Sequence, residues 1–253
     1  MTIRERYGLL RSWLMYYAKP GNRSRLFRFY SAFIKENDLV FDIGAHLGNR
    51  SQTFLDLGSK VIAVEPQPNC ILFLKNKFGK NSRFILHDYL VSSETGQLPF
   101  HISFANPTIS TARGKEWHQQ INSYGMMPAY WNQKIIKSVI TLDWLIQEYG
   151  IPAFCKIDTE GFEWEVIQGL SVAIPALSLE YLAFDRDRMI QCLERLGNLG
   201  EYRINFSPGE SQHWYWKAWK SLEEVMTILV NNQLPYRFGD FYFKLTNKAG
   251  SEK

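Results

Sequence analysis

Two acids, Asp42 in "LVFDIGAHLGNRS" and Glu65 in "KVIAVEPQP", stand 23 residues apart, each at the end of a short apolar run. In folds that bind a nucleotide beyond the first strand, a glycine turn is followed, roughly 20 residues on, by an acid that accepts hydrogen bonds from ribose hydroxyls. Gly44 and Gly48 would let the chain turn sharply and a ligand approach closely, since neither carries a Cβ. The loop reads D-x-G-x-x-x-G, however, and His46 and Leu47 place bulk where a pyrophosphate would need to sit. Asp42, projecting from the strand end, would repel a phosphate and attract an ammonium. A cofactor with an unphosphorylated ribose and an amino-acid ammonium suits this pattern, and S-adenosylmethionine has both.

A second group of acids lies in "KIDTEGFEWEV", where Asp158, Glu160 and Glu163 follow another apolar run. Carboxylates here can cap the helix that follows, opposing its positive end by about 0.3–1 kcal/mol. At a strand's carboxyl end they can also orient or deprotonate an acceptor hydroxyl. Asp158 and Glu160 are the candidate catalytic carboxylates, with His46 and His118 as alternative bases. The gathered acids leave room for a divalent metal through oxygen ligands, although spacing alone assigns no residue as a metal ligand.

Elements that could position these residues alternate along the chain. The apolar runs "LVFDI", "KVIAVE", "RFILH", "AFCKID" and "ALSLEYL" are separated by helix-length segments beginning near Asn49, Asn69, Thr141 and Phe162. Strand then helix, repeated, predicts a doubly wound α/β fold around a parallel sheet. Later, "YRINFS" and "DFYFKL" read as strands flanking a helix over Ser221 to Asn231. "LVSSETGQLPFHIS" predicts a hairpin turning at Glu94, Thr95 and Gly96. The stretch 105–134 is long, polar and aromatic, and is read as a substrate lid in which Tyr124, Tyr130 and Trp131 are pocket candidates. Ahead of the first strand, 1–38 predicts a helical cap of two helices, Ile3 to Tyr17 and Arg23 to Ile34, broken at "KPGN". The sheet domain is expected over 39–246, and 247–253 as a flexible tail.

Composition sets limits on these readings. With 253 residues and 45% hydrophobic content the chain can bury one large core. No apolar run approaches the roughly 18–20 residues of a membrane span, and the first residues lack the pattern of a signal peptide. Cys70, Cys155 and Cys192 are scattered and odd in number, so reduced thiols and a cytoplasmic location are expected. A net charge of +4 requires no polyanionic partner. The arginines and apolar stripe of the first helix permit peripheral membrane or glycan contact. The tryptophans of "SQHWYWKAW" suit a core or a homo-oligomer interface better than a sugar platform.

Taken together these stretches resemble the class I S-adenosylmethionine-dependent methyltransferases and, within them, the FkbM-type O-methyltransferases. "VFDIGAHLGNRS" is similar to that family's first motif, "VIAVEPQP" to its acidic second motif, and "VITLDWLIQEYGIPAFCKIDTEGFEWEVIQGL" to its "TLD…KIDVEG.E..VL.G" block; "GDFYF" is similar to its late strand. The resemblance runs from about Leu39 to Leu245. It implies a mostly parallel, seven-stranded Rossmann-like sheet with an antiparallel late strand. It implies a cofactor site of Asp42, Gly44, Ala45, His46, Gly48, Glu65 and Pro66, with Asp42 near the methionine portion and Glu65 on the ribose. Asp88, or Ser92 in an alternative register, would meet the adenine. The expected acceptor is a hydroxyl of a carbohydrate, glycolipid or natural product. Nucleic acid is not expected as a partner, because the fourth strand ends without the N/D-P-P-Y/F motif of amino-methylating enzymes. A nicotinamide-dependent dehydrogenase, favoured by Glu65 but opposed by the glycine pattern, and a non-catalytic binding module are the alternatives.

Overall fold

The computed structural model describes residues 3–18, 20–103, 107–114, 117, 119–121, 131 and 133–246. Its main sheet contains β1 (Leu39–Ile43), β2 (Lys60–Val64), β3 (Phe84–His87), β7 (Phe154–Ile157), β8 (Ala176–Leu182), β9 (Tyr202–Pro208), β10 (Lys220–Ser221) and β11 (Phe238–Leu245). Their spatial order is β10-β9-β11-β8-β7-β1-β2-β3. The strands from β3 to β8 pair in parallel, and β11 runs antiparallel to both neighbours, β8 and β9. This is the expected mostly parallel sheet with its late antiparallel strand. The two residues of β10 add an eighth strand at one edge.

A second sheet overturns the expected hairpin. Strands β4 (Leu90–Val91) and β5 (Gly96–Ile102) do not pair with each other; β6 (Gln133–Ile140) lies between them, parallel to β4 and antiparallel to β5. Val139 is the register partner of both Leu90 and Gly96. The long β6 gives β5 seven partners, more than the two residues of β4 could provide.

Helices cover both faces of the main sheet: α1 (Ile3–Tyr17), α2 (Asn22–Tyr30), α3 (Asn49–Asp56), α4 (Pro68–Phe78), α5 (Leu142–Tyr149), α6 (Glu163–Gln168), α7 (Arg186–Leu199) and α8 (Leu222–Val230). Their starts follow local chemistry. Thr141 accepts the Trp144 N–H at the head of α5, and Ser221 and Glu224 form a reciprocal capping box at α8. The sequence reading gave α7 no helix, although Met189, Cys192, Leu193 and Leu196 recur at helical spacing and are buried.

Alternation along the strands sorts the core into two layers. Phe41, Ile43, Ile62, Ile157 and Leu179 face one layer with α7 and α8, while Val40, Val61, Phe154 and Tyr242 face the other. Leu26, Phe29 and Tyr30 of α2 are buried in that second layer, where the Trp214 ring lies 4.5 Å from Phe29. Trp214 and Trp219 therefore complete core packing around α2. Tyr7, Leu10, Trp13 and Leu14 of α1 remain exposed. All three cysteines are buried and free, and among the described residues no helix is long and apolar enough to cross a membrane.

Candidate active site

The turn after β1 carries its two glycines in left-handed conformations, Gly44 at φ 78° and Gly48 at φ 72°. A Cβ on Gly44 would lie 1.8 Å from the backbone oxygen of Asp158, and one on Gly48 would lie 2.6 Å from the side chains of Leu74 and Phe78. The space where a side chain would begin at either glycine is thus taken by protein, while Gly44 itself lines the cleft. Glycine here lets the turn after β1 close against the turn after β7. The N–H groups of Gly44 and Ala45 both donate to the Val64 carbonyl, at 2.9 and 3.1 Å, tying the loop to the end of β2.

Glu65 follows β2 directly and is buried. Its Oε2 accepts the His46 N–H at 2.7 Å and its Oε1 the Gln67 N–H at 2.8 Å. Each oxygen keeps acceptor capacity for a further donor such as a ribose hydroxyl. Burial pushes Glu65 up to about 7 despite those two hydrogen bonds. Burial also lowers His46 to about 4, so its imidazole is neutral near pH 7.

Asp42 lies beneath this loop, fully enclosed, and does not line the cavity. It does not project into the crevice as its place at the strand end had led us to expect, because its register partners are Ala63 on β2 and Lys156 on β7 and its side chain stays on the α2-facing side of the sheet. Ser51 donates to its Oδ2 at 2.5 Å, and the Lys156 Nζ stands 4.0 Å from its Oδ1. The same Nζ donates to Asp158 Oδ2 at 2.9 Å. Burial opposes the lysine's charge, but Asp158 and Asp42 outweigh it and hold Lys156 above the ordinary lysine range. Lys156 takes no role from the motif it sits in, although a lone cation inside an apolar strand signals a buried partner.

A cleft partly open to solvent lies beyond the carboxyl ends of β1, β2 and β7. Of the predicted residues, Gly44, His46, Glu65, Pro66, Asp158 and Glu160 line it. Ala45 and Gly48 shape the loop behind it. Asp88 and Ser92 are not in its lining: Asp88 pairs with Lys137 on a half-exposed surface, and Ser92 is buried with its N–H on the Ile140 carbonyl. Tyr89, Leu90, Val91, Phe100 and Phe162 give the cleft apolar and aromatic walls. Pro107, Thr108, Ser110 and Ala112 of the presumed lid close another side. Gln67 fastens that segment, donating to the Pro107 carbonyl at 2.9 Å and accepting from Ser110 Oγ at 3.0 Å. His118, Tyr124 and Tyr130 lie outside the described residues. Trp131 is absent from the lining; its Nε1 donates to the Ile109 carbonyl.

The acids after β7 divide their work. Glu163 accepts the N–H and hydroxyl of Thr159, at 2.7 and 3.0 Å, and so holds the turn together. Glu160 sits in the left-handed region at φ 54° and faces the cleft. Glu180 on β8, which the sequence reading took only as part of an apolar run, joins Asp158 and Glu160: carboxylate oxygens, one from each of the three, all lie within 4.8 Å of one another. Burial, then repulsion from Asp158, raises both Glu160 and Glu180 well above the usual carboxylate range.

The family model of the methyltransferase FkbM domain matches residues 42–236. The chain belongs to the FkbM methyltransferase family, and it is an S-adenosylmethionine-dependent methyltransferase; the dehydrogenase alternative is left without support. No curated protein sequence matches the chain. Solved structures similar to it include precorrin-6y C5,15-methyltransferase from Geobacter metallireducens GS-15, at 12% identity and a TM-score of 0.44, covering 89% of this chain and 87% of that one. Others are a TehB-like SAM-dependent methyltransferase from Corynebacterium glutamicum (10%, TM-score 0.42, 88% of each chain) and an rRNA methylase from Streptococcus thermophilus (9%, TM-score 0.42, 87% and 94%).

The residues present fit S-adenosylmethionine. Glu65 offers buried acceptor oxygens on the wall of the cleft, where the ribose hydroxyls of a phosphate-free cofactor can donate to them.

Proposed function

We propose that the protein methylates a hydroxyl of a carbohydrate, glycolipid or natural-product acceptor. One observation carries this reading: the ribose-suited Glu65 and the carboxylate Asp158 open onto the same aromatic-walled cleft. When bound, S-adenosylmethionine supplies a methyl group on a sulfonium, an electrophile that needs no further activation. The chain's task is then to align the acceptor and remove its proton.

Glu65, with the loop over Gly44–His46, holds the cofactor's ribose side. Asp158 accepts the acceptor's hydroxyl proton as the oxygen–carbon bond forms, its Oδ2 anchored by Lys156 so that Oδ1 is presented. Alignment supplies most of the acceleration expected for an in-line transfer, and a positioned base adds roughly 10²–10⁴-fold. Neutral His46, which also lines the cleft, takes the proton instead if the acceptor lies closer to the loop after β1. Tyr89, Phe100 and Phe162 suit the apolar face of a sugar ring or macrocycle.

The test is incubation with methyl-labelled S-adenosylmethionine and a panel of hydroxylated sugars, glycolipids and macrolides. Label recovered in an ether linkage supports the proposal. Label transferred only to nitrogen or carbon acceptors refutes it.

A further inference from the structure

We propose that Asp158, Glu160 and Glu180 form a binding site for one divalent cation of the magnesium, manganese and calcium kind. Three carboxylates from two separate strand ends bring one oxygen each within 4.8 Å of the others, a spacing at which one cation can be shared. The donors are all oxygen, without histidine or cysteine, which is the set that hard divalent cations prefer to zinc or copper.

Glu180 gives an observation independent of the clustering. Its Oε2 is enclosed by protein and meets no hydrogen-bond donor among the described residues. An acceptor placed so is costly unless something positive or a donor completes it. Its neighbours add none: its register partner on β11 is Asp240, another acid. Lys156 is engaged with Asp158 Oδ2 and also stands 4.0 Å from Asp42 Oδ1. Arg188 and Arg113, on the surrounding elements, are paired with Glu165 and Asp185. Among the described residues neither Glu160 nor Glu180 has an ion-pair partner. The cluster therefore presents one buried vacant acceptor and two carboxylates, Glu160 and Glu180, that no protein cation pairs among the described residues, while Lys156 takes only the Oδ2 of Asp158.

Asp158 and Glu160 also line the cleft, so a cation held here faces the acceptor and can bind its hydroxyl oxygen directly. That extension rests on the proposed hydroxyl acceptor; the binding of the cation does not.

The experiment is a calorimetric titration of the full-length protein with Mn²⁺ alone, without cofactor or acceptor. The expected result is one saturable site per chain, with affinity lost at least tenfold in Glu180→Gln and in Glu160→Gln. The metal-free circular dichroism and Tm of both variants should be unchanged or slightly raised, since each replaces an acid in a crowded group by a neutral side chain of the same shape. Two variants on different elements keep the test decisive if one fails to fold. No saturable binding up to about 10 mM, above the roughly 10⁻⁴–10⁻³ M of weak protein calcium sites, overturns the proposal. So does undiminished affinity in both variants. Absence of Mn²⁺ binding leaves the methyltransferase reading standing, and failure to find an acceptor leaves this result standing, so the two are separable.

Discussion

The backbone oxygen of Asp158 occupies the place where a side chain on Gly44 would begin, 1.8 Å from the Cβ position. The turn after β1 and the turn after β7 are thereby packed backbone against backbone. Gly44→Ala combines this overlap with a left-handed φ of 78°, and neither can relax without moving the other turn. We expect a loss of at least about 3 kcal/mol, from strain and overpacking together. Gly114, at which a Cβ would meet nothing within 4 Å, should tolerate alanine within about 0.5 kcal/mol. Urea denaturation of the two variants reads the difference.

Lys156 ties the two turns from below. Replacing it with methionine leaves Asp42 buried with, among the described residues, only Ser51 as its hydrogen-bonding partner and frees Asp158. Breaking a buried ion pair on one side costs about 3–5 kcal/mol. Denaturation near pH 8 should show a loss of this size. A result within about 1 kcal/mol of the parent would show that Lys156 holds nothing essential.

Cofactor binding should depend on pH through Glu65. Its pKa is raised from 4.5 to about 7 by burial. The folded protein therefore keeps a proton that the unfolded chain releases between those values. This contribution favours folding at low pH and is lost as pH rises through about 7. Binding has the opposite dependence, because ribose hydroxyls donate to the carboxylate. Below about pH 7 the Kd for S-adenosylmethionine should worsen up to tenfold per unit, levelling above it. Glu65→Gln should bind weakly with a flat profile over the same range.

Helix α1 meets the loop after β1 through Tyr17. The Tyr17 hydroxyl donates to the Leu47 carbonyl at 2.9 Å, and the Lys77 ammonium sits 3.7 Å over the Tyr17 ring. Tyr17→Phe keeps the ring and removes the hydrogen bond. The expected loss is about 0.5–1.5 kcal/mol in stability, with a rise of a few fold in cofactor KM and little change in kcat. Steady-state kinetics separates this from a purely structural effect, which would leave KM unmoved.

Much of the fold was legible because it is local. Apolar runs at Leu39, Lys60 and Ala176 and the helix starts at Asn49 and Thr141 follow from patterning, glycine and capping chemistry, and the structure places elements there. Long-range pairing was not legible. Nothing near Leu90 or Gly96 tells that a strand some forty residues later will come between them. The site divides in the same way. Glu65, Asp158 and Glu160 lie where motifs put them, on the cleft. Asp42 was misjudged because the facing of a strand's last residues depends on its neighbours' register. Glu180 went unseen inside "ALSLEYL", although Ser178 and Glu180 alternate there with Leu177, Leu179 and Tyr181 and so mark a polar face. Only the register of β8 and β11 and the turn after β7 bring that face to Asp158 and Asp240.

The most direct test of the central claim is a calorimetric titration of the full-length protein with S-adenosylmethionine, with NAD as a parallel titrant, repeated on Glu65→Ala. Saturable binding of S-adenosylmethionine alone is predicted, weakened about 10–100-fold by the substitution, as losing hydrogen bonds to a charged acceptor requires. Binding of NAD in its place, or S-adenosylmethionine affinity indifferent to Glu65, would contradict the assignment of this cleft as the methyl donor's site.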